Sequence, residues 1–220
     1  MIMKKLVYLL LSLLSISAFA QDQDPKAKAI LDDLSKTTKA YKTITADYNY
    51  TIFNKDKKQT DKLSGKVQVK GQKFKLVIPG NVIVCDGKTI WNHNKDAQEV
   101  TIKNFDAANE DQLNPSKIFT LYETGYKYKY DKEEKVGAAT CHVIDLYPAV
   151  KPEKKKFHTI KLYVDKVKKQ VVQLKMLMKD GGTQLYEIKS FKPNAEIPDA
   201  AFTFDTKAFK PDQIIDERGD

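Results

Sequence analysis

The chain has 220 residues, 41% hydrophobic and 30% charged, enough for one domain with a real core. Its 38 basic residues exceed its 29 acidic ones, and the bases are nearly all lysine, interleaved with acids as in Lys55-Asp56-Lys57-Lys58 and Lys151-Pro152-Glu153-Lys154-Lys155-Lys156. That pattern reads as a solvated lysine surface and argues against a nucleic-acid footprint, with contact to anionic lipid headgroups or an acidic partner as the sharper alternative.

The chain opens with the cationic Met1-Ile2-Met3-Lys4-Lys5, an apolar run over 6–14, and Ala18-Phe19-Ala20 just before the polar Gln21-Asp22. Cation, apolar run and small-x-small are what a signal peptidase reads, so a secretory signal cleaved after Ala20 is expected. At about 15 apolar residues the segment is short for a membrane span, which needs roughly 20. A lipid anchor would need cysteine after the cut. Gln21 stands there, so a free, soluble product in the periplasm is expected, a single domain over 21–220. Losing Lys4 and Lys5 takes the net charge from +9 to +7.

Asp24-Pro25 predicts a helix start, the aspartate capping free amides and proline costing nothing in the first turn. Ala27, Ile30, Leu31, Leu34 and Tyr41 follow at helical spacing. The period then becomes two: Ile44, Ala46, Tyr48, Tyr50 and Ile52 alternate with polar residues, as in a strand buried on one face. A polar turn over 54–62 leads to strands at 65–70, 73–78, 82–85, 89–93 and 99–105, separated by Gly71-Gln72, Pro79-Gly80 and Asp86-Gly87. Asn114-Pro115 repeats the cap-and-proline signal and predicts a short helix with Ile118, Phe119, Leu121 and Tyr122. Strands resume at 126–130, 140–146, 159–164, 171–178 and 184–191, with Asp180-Gly181-Gly182 as a hairpin turn. About ten strands in sequence with two amphipathic helices predict a mainly β, α+β fold. One long antiparallel sheet curls into an unclosed β-barrel, and the helices lid its concave side.

No nucleophile elbow, phosphate loop or dinucleotide turn is present. His93, His142 and His158 lack metal-ligand spacing, and Cys141-His142, adjacent in a strand, point to opposite faces. Neither an enzyme, a metal nor a cofactor is expected. What stands out is the large side chains: Tyr48, Tyr50, Phe53, Phe74, Trp91, Phe105, Phe119 and Tyr122. Each reads singly as core. Together they also fit a sheet too wide to be filled by its own side chains, which leaves an apolar cavity for a hydrophobic ligand.

In their order along the chain these segments resemble the outer-membrane lipoprotein carrier family, the LolA-type periplasmic chaperones. The carrying features are the strand entry from Tyr41 to Tyr48, the Gly65-Lys66-Val67-Gln68-Val69-Lys70 strand feeding Lys73-Phe74-Lys75-Leu76, and above all Val84-Cys85-Asp86-Gly87-Lys88-Thr89-Ile90-Trp91. Asn114-Pro115 and Ala201-Phe202-Thr203-Phe204 fall where the family has its internal helix and C-terminal segment. The resemblance implies transfer without bond chemistry: an apolar cavity takes lipoprotein acyl chains from an inner-membrane lipoprotein-releasing ABC transporter and hands them to an outer-membrane acceptor. The expected protein is a monomer. That acceptor is itself lipid-anchored, and Gln21 argues against that identity. The alternatives are a lipid- or lipoprotein-sensing regulatory module, or a carrier of another lipid.

The residues expected to bind acyl chains are Ile30, Leu34, Tyr48, Tyr50, Phe74, Leu76, Ile78, Val84, Trp91, Ile118, Phe119 and Tyr122. Phe74→Glu is expected to impair cargo handling while sparing the fold, or to unfold the protein if Phe74 is core. Lys70 stands where the family has an arginine that latches the lid, and a lysine lacks that planar fork. On this scaffold Cys85 and Cys141 lie about three strands apart, roughly 14 Å, so two unpaired thiols are expected.

Overall fold

The computed structural model describes residues 23–107, Pro115 and 121–219. The signal segment and most of the second expected helix, with Ile118 and Phe119, lie outside the described residues.

One helix, α1 (Pro25–Lys39), precedes the sheet. The strands are β1 (Ile44–Phe53), β2 (Gln59–Lys70), β3 (Lys73–Ile78), β4 (Asn81–Cys85), β5 (Thr89–Asn94), β6 (Glu99–Asn104), β7 (Tyr126–Val136), β8 (Ala139–Pro148), β9 (Phe157–Asp165), β10 (Val171–Met178), β11 (Thr183–Pro193) and β12 (Ile214–Asp216). They form a single 12-stranded sheet in the order β12-β6-β5-β4-β3-β2-β1-β11-β10-β9-β8-β7. The end strands β12 and β7 do not pair with each other, so the sheet is curled but not closed. Two meanders, β1 to β6 and β7 to β11, are joined where β1 pairs with β11 over its whole length.

The count exceeds the expected ten and the sheet is not wholly antiparallel. The tail supplies β12, which lies parallel to β6 and covers its edge from Ile214 to Asp216. The segment read as a polar turn is shorter, because β2 begins at Gln59; its first residues are exposed and carry no apolar alternation to reveal them.

Period-two alternation sorts the sheet into two faces. On the inner face Leu63, Tyr50, Tyr186, Leu174, Leu162 and Ile144 oppose one another across five successive ladders. Helix α1 covers one part of this face, burying Ala27, Leu31 and Leu34 against Ile144, Leu146, Ile160, Leu162 and Val164. Its start is fixed to edge strand β7. Asp24 accepts hydrogen bonds from the Lys26 and Ala27 amides at 2.8 and 3.2 Å and from the Tyr130 amide at 2.9 Å. The Gln23 amide side chain bonds Tyr128 N–H at 3.1 Å and Tyr126 C=O at 3.3 Å. One cap thus satisfies both the helix's orphan amides and the free edge of β7.

On the outer face, Val84, Val100 and Ile102 are buried, as are Ile197 and Phe202 of the C-terminal segment. Phe204 and Phe209 of that segment pack with Trp91 and His93. Farther along the outer face a small buried cluster of Cys141, Val143 and Tyr163 lies beside an ion-pair network, in which Lys161 bridges Asp131 and Asp145 at 2.9 and 2.8 Å.

Cys85 and Cys141 are both free and buried, as expected. The separation differs, because the β1–β11 junction leaves six strands between β4 and β8. Burial pushes both thiols up to about 11.

Candidate functional site

Beside helix α1 the described residues leave part of the inner face unfilled. A cavity of about 480 Å³ lies there, within the usual range for small-ligand sites. Its wall comes from both meanders: Tyr48 and Tyr50 on β1, Leu63 and Val67 on β2, Leu76 and Ile78 on β3, Phe157 and Ile160 on β9, Val171, Leu174 and Met176 on β10, and Tyr186 and Ile188 on β11. Pro115, Ser64 and Tyr126 complete it. Among the described residues, none of the lining side chains is charged.

Three tyrosines form the floor. The Tyr50 and Tyr186 rings lie 4.6 Å apart between centroids and Tyr48 lies 6.5 Å from Tyr186. The ring of Tyr48 crosses its ladder partner Gly65; a Cβ there would meet the ring at 2.5 Å, so only glycine admits this ring position. Burial raises the phenol pKa of Tyr48, Tyr50 and Tyr186, and the neighbouring Tyr50 raises Tyr186 further. The tyrosines are therefore neutral at any ordinary pH. A neutral wall without a charged group offers an apolar ligand dispersion contact and release of water.

Of the residues expected to bind acyl chains, the structure brings Tyr48, Tyr50, Leu76 and Ile78 together on this wall. Leu34 and Tyr122 are buried in the core under α1, with Ile30 packed against it. Phe74 is 1% exposed and sits in a second inner-face core with Cys85, its ring 6.0 Å from that of Phe105. Val84 and Trp91 point to the outer face, where Trp91 stacks on Phe204 with centroids 6.5 Å apart. Lys70 is also placed away from the cavity: its Nζ donates to Ile197 C=O at 3.2 Å and pairs with Asp199 at 3.0 Å, tying down the C-terminal segment.

The wall residues on β9, β10 and β11 went unnoticed in the sequence. Their alternation is legible, but their place opposite β1 depends on a pairing between residues some 140 positions apart. The histidines are dispersed, and among the described residues no three His, Cys, Asp or Glu come together to hold a metal. No described helix is long and apolar enough to cross a membrane.

An unclosed sheet with a neutral apolar cavity beside its covering helix defines a half-barrel built to enclose apolar groups. The chain belongs to the family described as outer membrane lipoprotein carrier protein LolA, whose model matches residues 39–205. It is 29% identical over 203 residues to an uncharacterized protein of Methanocaldococcus jannaschii, covering 90% of this chain and only 57% of that relative's length. Among solved structures it is similar to an uncharacterized conserved protein of Thermus thermophilus, with a TM-score of 0.59 at 14% identity over 87% of this chain and 99% of that one. It is also similar to the Mycobacterium tuberculosis lipoprotein LppX, with a TM-score of 0.49 at 14% identity over 80% of this chain and 99% of that one.

Proposed function

We propose that this chain is a periplasmic carrier that holds lipoprotein acyl chains in the inner-face cavity and moves lipoproteins from the inner to the outer membrane. The observation that carries the reading is the uncharged 480 Å³ cavity, in a member of the LolA family. Each buried methylene contributes about 0.8 kcal/mol, so release into water is slow and handover needs an acceptor with a better apolar site. The carrier works without bond chemistry. Its partners on this reading are the lipoproteins, an inner-membrane lipoprotein-releasing ABC transporter and an outer-membrane acceptor. Export relies on the signal ending at Ala20, with cleavage before Gln21.

The test is native mass spectrometry of the mature protein after a triacylated lipoprotein is added in detergent and the detergent removed. A stable one-to-one complex that is lost in Leu63→Glu supports the carrier. Precipitated lipoprotein beside bare protein contradicts it.

A further inference from the structure

Three loops meet at one end of the sheet: 54–58 between β1 and β2, 149–156 between β8 and β9, and 179–182 between β10 and β11. They are joined. The Lys179 amide donates to Lys156 C=O at 2.9 Å and its Nζ to Pro152 C=O at 2.7 Å, while a Cβ on Gly181 would lie 3.2 Å from that of Lys55. Together they carry eight lysines against three acids. Lys57, Lys154 and Lys156 are exposed, and the ion pairs among the described residues involve neither them nor Lys155. At the opposite end the lysine-rich turn after β9 is partly neutralised, Lys166 by Glu133 at 2.7 Å and Lys169 by Asp33 at 3.6 Å. The cationic ledge also abuts the cavity wall: Phe157, which lines the cavity, directly follows Lys156.

We infer that this ledge, which abuts the cavity wall at Phe157, docks the protein on an anionic lipid bilayer. Lysine is a hydrated point charge on a flexible stem and suits a diffuse sheet of headgroup phosphates, whereas recognition of one shaped carboxylate partner favours arginine's fork. The chain's arginine, Arg218, is engaged by Asp216 at 2.5 Å, far from the ledge. Val150, 47% exposed among these lysines, supplies an apolar contact for the headgroup layer. Docked this way, the cavity wall at Phe157 lies beside the layer from which acyl chains come or to which they go. The role rests on the acyl-chain reading, but the measurement does not.

The test is flotation of the mature protein with phosphatidylcholine vesicles, with and without phosphatidylglycerol, at low and physiological salt. Binding is expected only with phosphatidylglycerol, weakening with salt. At about 1 kcal/mol per lysine, the triple variant Lys154→Glu, Lys155→Glu, Lys156→Glu should lose affinity by roughly 100-fold or more. Lys166→Glu, Lys168→Glu, Lys169→Glu at the far end should change it severalfold at most, with circular dichroism verifying both folds. Equal losses in the two variants, no binding to anionic vesicles, or preference for an acidic peptide over them would each overturn the inference. An acyl complex in mass spectrometry without vesicle binding removes the docking alone; vesicle binding without an acyl complex removes the carrier reading alone.

Discussion

Under helix α1, Ile144, Leu146 and Leu162 are at most 1% exposed, while on the same face Tyr50, Met176, Tyr186 and Ile188 are only half-buried and line a cavity. The alternation that turned both sets inward is the same, although the open region carries tyrosines where the covered one is aliphatic. What also differs is the supply of partners. Leu31 and Leu34 fill one region to core density, and no described residue fills the other to the same extent. A curled sheet of twelve strands has more apolar inner face than one amphipathic helix can cover, and the surplus becomes a site.

The comparison breaks most sharply with a charge. Phe74→Glu places a carboxylate in a closed core and should leave the protein unfolded or absent, since an unpaired buried charge costs several kcal/mol. Leu63→Glu, on the cavity wall and outside the buried clusters, should fold normally by circular dichroism and lose acyl binding. A folded Phe74→Glu protein would mean that the second inner-face core is looser than its packing indicates. Truncation gives the next largest effect. Leu34→Ala should cost about 2–5 kcal/mol in urea unfolding, because a cavity opens under the helix. Met176→Ala, on an existing cavity wall, should cost under about 1.5 kcal/mol. Equal losses would erase the distinction between the two regions.

Removing the cap of α1 acts at the edge of the covered region. Asp24→Ala should cost about 1 kcal/mol at neutral pH. The hydrogen bond from the Tyr130 amide, with those from Ala27 and Lys26, holds the Asp24 carboxyl below its usual range against an opposing burial penalty. The stabilisation is therefore complete above the ordinary carboxylate pKa and lost as pH falls through the depressed one, so variant and wild type should converge in acid melts. The smallest effect is on the outer face. Lys70→Ala removes an exposed ion pair, leaving Asp199 still paired with Lys73, and should hardly change global stability. It should show as faster proteolysis of the segment after Ile197, with acyl binding unchanged.

The sequence made the strands, the first helix with its Asp24 cap and the inward set on β1 legible, because each depends on neighbours a few residues away. Tyr48 and Tyr50 could be picked out for that reason. Phe74 could not be separated from Leu76 by pattern: both point inward, and only the packing of Phe105 and Cys85 closes over one of them. Trp91 and Val84 misled because β4 carries apolar residues on both faces, and the outer face is sheathed by a tail whose Phe204 and Phe209 gave no periodic signal. The second half of the wall needed the β1–β11 pairing, which no local pattern encodes.

The most direct measurement is to load the mature protein with a lipoprotein carrying a photoreactive diazirine at mid-chain, irradiate it, and map the labelled peptides by mass spectrometry. Labelling should fall on β1, β2, β10 and β11, at Tyr50, Leu63, Met176 and Tyr186. Labelling centred on Trp91 and Phe204 of the outer face, or spread without preference over the surface, would contradict the assignment of the inner-face cavity as the acyl site.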